Sequence, residues 1–151
     1  MLKKFLPFLI SLSLFATNGL GDELPIKIEG AWIQAVPRAA EATAAYMTVY
    51  NTGQKPIQLT GGSSLIATKI EPMVTTREIQ NGHQIMGMKT VTGLQIAPGE
   101  TLVLKPGGNH LMIMNLTSHP KEGEQVKLTI RFDPGNETID LEVPVYKQAP
   151  K

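Results

Sequence analysis

Cysteine is absent from the 151 residues. That excludes disulfides, thiolate nucleophiles, cysteine-ligated zinc and iron–sulfur clusters. Any soft-metal chemistry must use methionine sulfur and imidazole nitrogen. Aromatics are scarce, at 5%, and neither charge dominates: 14 Lys and Arg stand against 13 Asp and Glu, net +1. Nothing in that balance gives an electrostatic reason to expect a nucleic-acid partner. Charged residues make up only 18% and apolar ones 42%, which suits a packed core and not a disordered chain. This length predicts one domain.

The first segment reads as an address. Residues 1–21 are MLKKFLPFLISLSLFATNGLG: two lysines, an apolar stretch from Phe5 to Ala16, then small residues. This is the layout of a cleavable secretory signal peptide, cut after Gly19 or Gly21. The run is too short for a comfortable membrane span, and no second one follows. Residues 22–151 are then a single exported domain, not membrane-spanning after cleavage. Losing Lys3 and Lys4 leaves 12 basic residues against 13 acidic, net −1, and Phe132 as the one remaining phenylalanine.

What remains is dominated by alternation. Ala45, Met47 and Val49 alternate with Tyr46, Thr48 and Tyr50. Val126, Leu128, Ile130 and Phe132 alternate with polar residues, as do Ile139, Leu141, Val143 and Val145; shorter patterns cover Ile26–Glu29 and Leu102–Lys105. Period-2 patterning argues for half-buried strands. Turn signals separate them: Asn51-Thr52-Gly53, Gly61-Gly62, Asn81-Gly82, Pro98-Gly99, Pro106-Gly107-Gly108 and Pro134-Gly135-Asn136. The pattern predicts an all-β antiparallel sandwich or barrel. Residues 38–45 have helix propensity but follow Pro37 and run into a strand, so they read as a loop with at most one helical turn.

Hydrolytic chemistry has little to work with. Beyond the signal segment the serines are Ser63, Ser64 and Ser118, and the histidines His83, His110 and His119. None sits in a nucleophile-elbow context, Glu71 and Glu78 are not suggestively paired with other acids, and no phosphate-cradling loop precedes a helix. An enzyme is not expected.

Methionine is the unusual feature. Met47, Met73, Met86, Met88, Met112 and Met114 lie beyond the signal, five of them between residues 73 and 114. In His110-Leu111-Met112 the imidazole and thioether stand two residues apart, hence on one face of a strand. Met86 and Met88 share the same relation after the Asn81-Gly82 turn, with Met73 on the presumed pairing strand. Thioether sulfur is neutral and soft; it suits Cu(I) and offers little to magnesium, calcium or zinc. Other methionines have ordinary uses as gap-fillers. Met47 is expected in the core, and so is Met114, although it shares the His110–Met112 face. Met86 is open between spare ligand and core. His83 is expected in solvent beside its turn, His119 exposed, and Trp32 in the core.

These residues carry a resemblance. Met88 followed after twenty-one residues by His110-Leu111-Met112 resembles the periplasmic copper chaperone family PCu(A)C, whose signature is His or Met, ten residues, Met, twenty-one residues, His-x-Met. Ala31-Trp32, Ala44-Ala45-Tyr46-Met47 leading to Asn51, Pro106-Gly107-Gly108-Asn109-His110 and Val143-Pro144-Val145 agree with it. The resemblance spans about residues 30–146. It implies a cupredoxin-like Greek-key β-sandwich and a Cu(I) ligand set of Met73, Met88, His110 and Met112. Fourteen residues separate Met73 from Met88 where the signature has ten, and strict spacing would land on Arg77, which cannot ligate. Met86 or His83 are therefore auxiliary candidates.

The expectation is a periplasmic Cu(I) chaperone that passes copper by ligand exchange. Its partner would be a copper-accepting protein such as a cytochrome c oxidase subunit or its assembly factor. A copper storage or resistance protein using the same site, and a metal-free interaction module, are the alternatives. A redox copper enzyme is disfavoured because several imidazoles are lacking.

Overall fold

A computed structural model describes residues 24–151. The expected signal peptide, residues 1–21, lies outside the described residues.

Ten strands follow one another: β1 (Ile26–Gln34), β2 (Ala42–Asn51), β3 (Ile57–Ser64), β4 (Ala67–Gln80), β5 (His83–Thr90), β6 (Leu94–Ile96), β7 (Thr101–Leu104), β8 (His110–Leu116), β9 (Gln125–Asp133) and β10 (Glu137–Tyr146). Among the described residues there is no helix, so the Ala-rich stretch did not follow its propensity. Pro37 turns the chain, with the Ala40 amide donating to the Pro37 carbonyl at 3.0 Å, and β2 begins at Ala42. Burial of β2 decides the matter: a strand puts Ala45, Met47 and Val49 on one face, as their period-2 spacing requires.

The sheet order is β5-β4-β8-β2-β1-β10-β9-β3-β6. Strand β3 also pairs β4, so the sandwich closes on itself. One edge of β2 is shared in succession: β8 takes Ala42–Ala45 and β7 takes Met47–Tyr50. Only β1 and β10 run parallel. A bulge between Glu29 and Trp32 in β1 falls where Gly30 adopts φ of 62°, a conformation that costs glycine nothing. The fold is the expected cupredoxin-like all-β sandwich.

Inside lie the alternating apolar residues of each strand. Leu128, Ile130 and Phe132 of β9, Val143 and Val145 of β10, Leu111 and Ile113 of β8, and Met47 and Val49 of β2 are all buried. Phe132, the single phenylalanine beyond residue 21, is 1% exposed and is a core residue. Asn51 closes the end of β2. Its amide donates to the carbonyls of Lys55 (2.8 Å) and Ile96 (3.0 Å), and its Oδ1 accepts from the Gly53 amide at 3.0 Å. One buried side chain thus ties the β2–β3 connection to the end of β6.

Candidate metal centre

Strand β8 is the base of the site. Leu111 and Ile113 face the core, so His110, Met112 and Met114 must face outward by alternation. Strand β4 runs antiparallel beside it. The register sets Met73 opposite His110, Glu71 opposite Met112, and Lys69 opposite Met114. Directly opposite residues point to the same face with Cβ atoms about 4.5–5.5 Å apart. The Met73 thioether and the His110 imidazole therefore share one face as immediate neighbours.

Strand β5 continues outward from β4. Thr90 stands opposite Met73, Met88 opposite Thr75, and Met86 opposite Arg77. Met88 thus lies on the same face, one diagonal step from Met73. The hairpin turns at Asn81 (φ 52°) and Gly82 (φ 75°), with Gln80 opposite His83. That is the two-residue turn with both central residues at positive φ that an Asn-Gly pair favours.

This register accounts for the unusual spacing of Met73 and Met88. Pairing is uninterrupted from Met73↔Thr90 to Gln80↔His83, so the hairpin is symmetric about its turn. Four residues beyond a ten-residue spacing become two in each arm. Such an extension lengthens the hairpin and leaves the Met73–Met88 relation as it was.

The hairpin, β8 and β2 border an open cavity of about 480 Å³, whose lining includes Met86, Met88, His110, Met112, Tyr46 and Thr75 but not Met73. His110 is 6% exposed, at the bottom, while Met86 and Met88 are 55% and 60% exposed, at the rim. The centre is a well with a buried imidazole, not a flat surface constellation. Loop residues 107–109 fix its wall: the Thr75 hydroxyl donates to the Gly108 carbonyl at 2.9 Å, and the Thr75 amide donates to Asn109 Oδ1 at 3.3 Å.

The same loop orients the histidine. Nδ1 lies 3.0 Å from the Gly108 carbonyl, which can only accept. Nδ1 therefore carries the proton, and in the neutral ring Nε2 keeps the lone pair for a ligand. Tyr46 packs against the ring, with centroids 6.4 Å apart, and Trp32 backs Tyr46 at 4.7 Å. Burial pushes the Tyr46 phenol above its ordinary value.

Several residues differ from their sequence expectation. Met114 is not packed inside; it is partly exposed on the outer face, opposite Ala42 and Lys69. Alternation from Ile113, which the core claims, forces it out. Met86, open between spare ligand and core, is exposed. Trp32 is buried but stands opposite Tyr46, on the face that carries the site and not between the sheets. His119 is not free: its Nε2 lies 2.9 Å from the Ala40 carbonyl. His83 is exposed at the hairpin tip, seven residues from Thr90, roughly 24 Å along the strand at about 3.4 Å per residue. The structure does not bring it to His110. Thr75 and Tyr46 went unnoticed as site residues, since only pairing reveals them. No cluster of three or more His, Asp or Glu suited to a hard metal occurs among the described residues.

Comparison with known proteins adds to the geometry. The family described as "Putative lipoprotein LpqE-like" matches residues 26–145. "Putative lipoprotein Lxx21020" of Leifsonia xyli subsp. xyli is 32% identical over 120 residues, 80% of this chain and 69% of that protein. The solution structure of CuI-DR1885 from Deinococcus radiodurans is 35% identical with a TM-score of 0.65, covering 87% of this chain and 85% of that one. The copper-bound PCuAC domain from PmoF2 has the same fold at 21% identity, with a TM-score of 0.65 over 83% of this chain and 94% of that one.

Proposed function

The chain belongs to the LpqE-like family, among the PCuAC domains, and from that premise we propose that it is an exported Cu(I) chaperone with Met73, Met88, His110 and Met112 as its ligands. The observation that carries this reading is the pairing of Met73 with His110 on the outward face of β4 and β8. Met112 follows on the same face of β8, and Met88 lies one step away on β5.

The donor set fits the cargo. Three thioethers and one neutral imidazole suit a soft monovalent ion and leave a divalent hard ion undersatisfied. His110 anchors from below, with its tautomer fixed by Gly108. Met88 sits at the open rim, where an acceptor's sulfur ligands can enter before it leaves. No step beyond this exchange of ligands is required of the protein.

Export is supported by the signal-like segment 1–21 and by the word lipoprotein in the family and relative names. A periplasmic copper-accepting protein, such as the CuA-bearing subunit of cytochrome c oxidase or its assembly factor, is the proposed recipient.

Titration with Cu(I) against a competing chromophoric chelator tests the site. One tight equivalent is expected, abolished in His110→Ala and weakened in Met112→Ala, Met88→Leu and Met73→Leu. Unchanged affinity in Met73→Leu, with loss in Met86→Leu, would move the fourth ligand to Met86. Unchanged binding in the His110 and Met112 variants would remove the metal reading. Mixing loaded protein with an apo CuA domain then separates a chaperone, which gives up its copper, from a store, which keeps it.

A further inference from the structure

A second concavity of about 480 Å³ lies on the same outward face but across β4 from β8, between β4, β3 and β9. Its lining is mixed, with Ile70, Pro72 and Val91 beside the polar Arg131, Thr60, Thr90, Thr92 and the pair Lys69–Glu71. Arg131 projects from the outward row of β9 and is partly buried. Its Nε donates to the Thr60 hydroxyl at 3.4 Å, and that hydroxyl donates to the Arg131 carbonyl at 3.2 Å, which locks the side chain over β3.

Strand β3 makes room for it. Gly61 has φ of 142°, and a Cβ built there would stand 2.7 Å from the Ile70 carbonyl oxygen and 3.2 Å from Arg131 Nη2. Only glycine allows the guanidinium to lie this close to the strand. The neighbouring acids are otherwise engaged. Lys69 holds Glu71 at 2.9 Å, and Asp133 accepts from the Asn136 amide at 3.1 Å. Among the described residues no acid pairs with Arg131. A half-buried Arg131 at the edge of a groove lined by Thr60, Thr90 and Thr92 has no planar acceptor for its guanidinium fork.

We propose that this groove is a carboxylate-binding site centred on Arg131. Arg131 supplies the one uncompensated positive charge, because Lys69 and Glu71 cancel, and the Glu71 carboxylate in the same lining disfavours a dianion. The chemistry therefore fits a monoanionic carboxylate better than phosphate. Strand β4 carries Glu71 in this groove and Met73 two residues on, so a carboxylate held here would sit beside the methionine–histidine face.

The test uses copper-free, isotopically labelled protein titrated with acetate at constant ionic strength, following the Arg131 Nε–H resonance and the Thr60, Thr90 and Thr92 amides. A saturable shift at these positions is expected, with phosphate binding more weakly than acetate. Arg131→Lys keeps the charge but loses the fork, and should weaken acetate by about tenfold or more. Glu71→Gln should tighten it, an outcome that a damaged fold would not produce. A shift linear in acetate, unchanged binding in Arg131→Lys, or weaker binding in Glu71→Gln overturns the proposal. A second titration uses the capped peptide acetyl-Gly-Glu-Gly-amide. Binding tighter than acetate assigns the carboxylate to a protein partner's side chain, and equal binding to a small free acid; failure of both ligands sinks the site.

Discussion

Met73 and His110 face each other across the β4–β8 ladder, although 37 positions part them in the sequence numbering. Neither residue specifies the other. Two core-facing patterns do, since Ile70 on β4 is opposite Ile113 on β8 and both are buried. A one-residue slip of β4 would turn Met73 inward and Ile70 outward, and lose the core face.

The hairpin geometry can be tested by deletion. Removing Glu78 and Ile79 with Gln84 and Ile85 keeps the Asn81-Gly82 turn and leaves Arg77 opposite Met86. Copper affinity should stay within a few-fold of the parent, because Thr75 still faces Met88. Removing Gln84 alone unbalances the arms and turns Met88 to the other face. Chelator competition should then show a loss of about tenfold or more, at about 1.4 kcal/mol per decade.

Asn51→Ala should destabilise without touching the site. It strips partners from two carbonyls and one amide at a residue only 1% exposed. Leaving such groups unpaired costs about 1–3 kcal/mol. The urea midpoint should drop with its slope unchanged, and copper stoichiometry should stay at one.

Tyr46 predicts a loss of stability in alkali. Burial raises its phenol above the ordinary 10.0. The folded protein therefore holds that proton more tightly than the unfolded chain. The stabilising contribution is whole below the unfolded value and is lost as pH rises through the folded one. Denaturant titrations above pH 10.0 should show a steeper decline in the parent than in Tyr46→Phe.

Much of the frame was legible because strands announce themselves locally. The turn at Asn81-Gly82 and the alternation through β2, β9 and β10 needed only neighbouring residues. Apolar character alone sends Met114 inward, yet the side is set by a strand's register against its partners. Met114 lies out because Ile113 lies in. Trp32 follows a bulge that shifts its pairing, onto the face of Tyr46.

Sequence alone settled the soft character of the donors, the shared side of His110 and Met112, and the absence of any thiol. Period-two geometry and side-chain chemistry are properties of short stretches. Tertiary structure decided that Met73 meets His110, that four extra hairpin residues split evenly, and that the imidazole sits at the bottom of a well. Those outcomes depend on which strands become neighbours, and burial of the whole core, summed over distant segments, selects that arrangement.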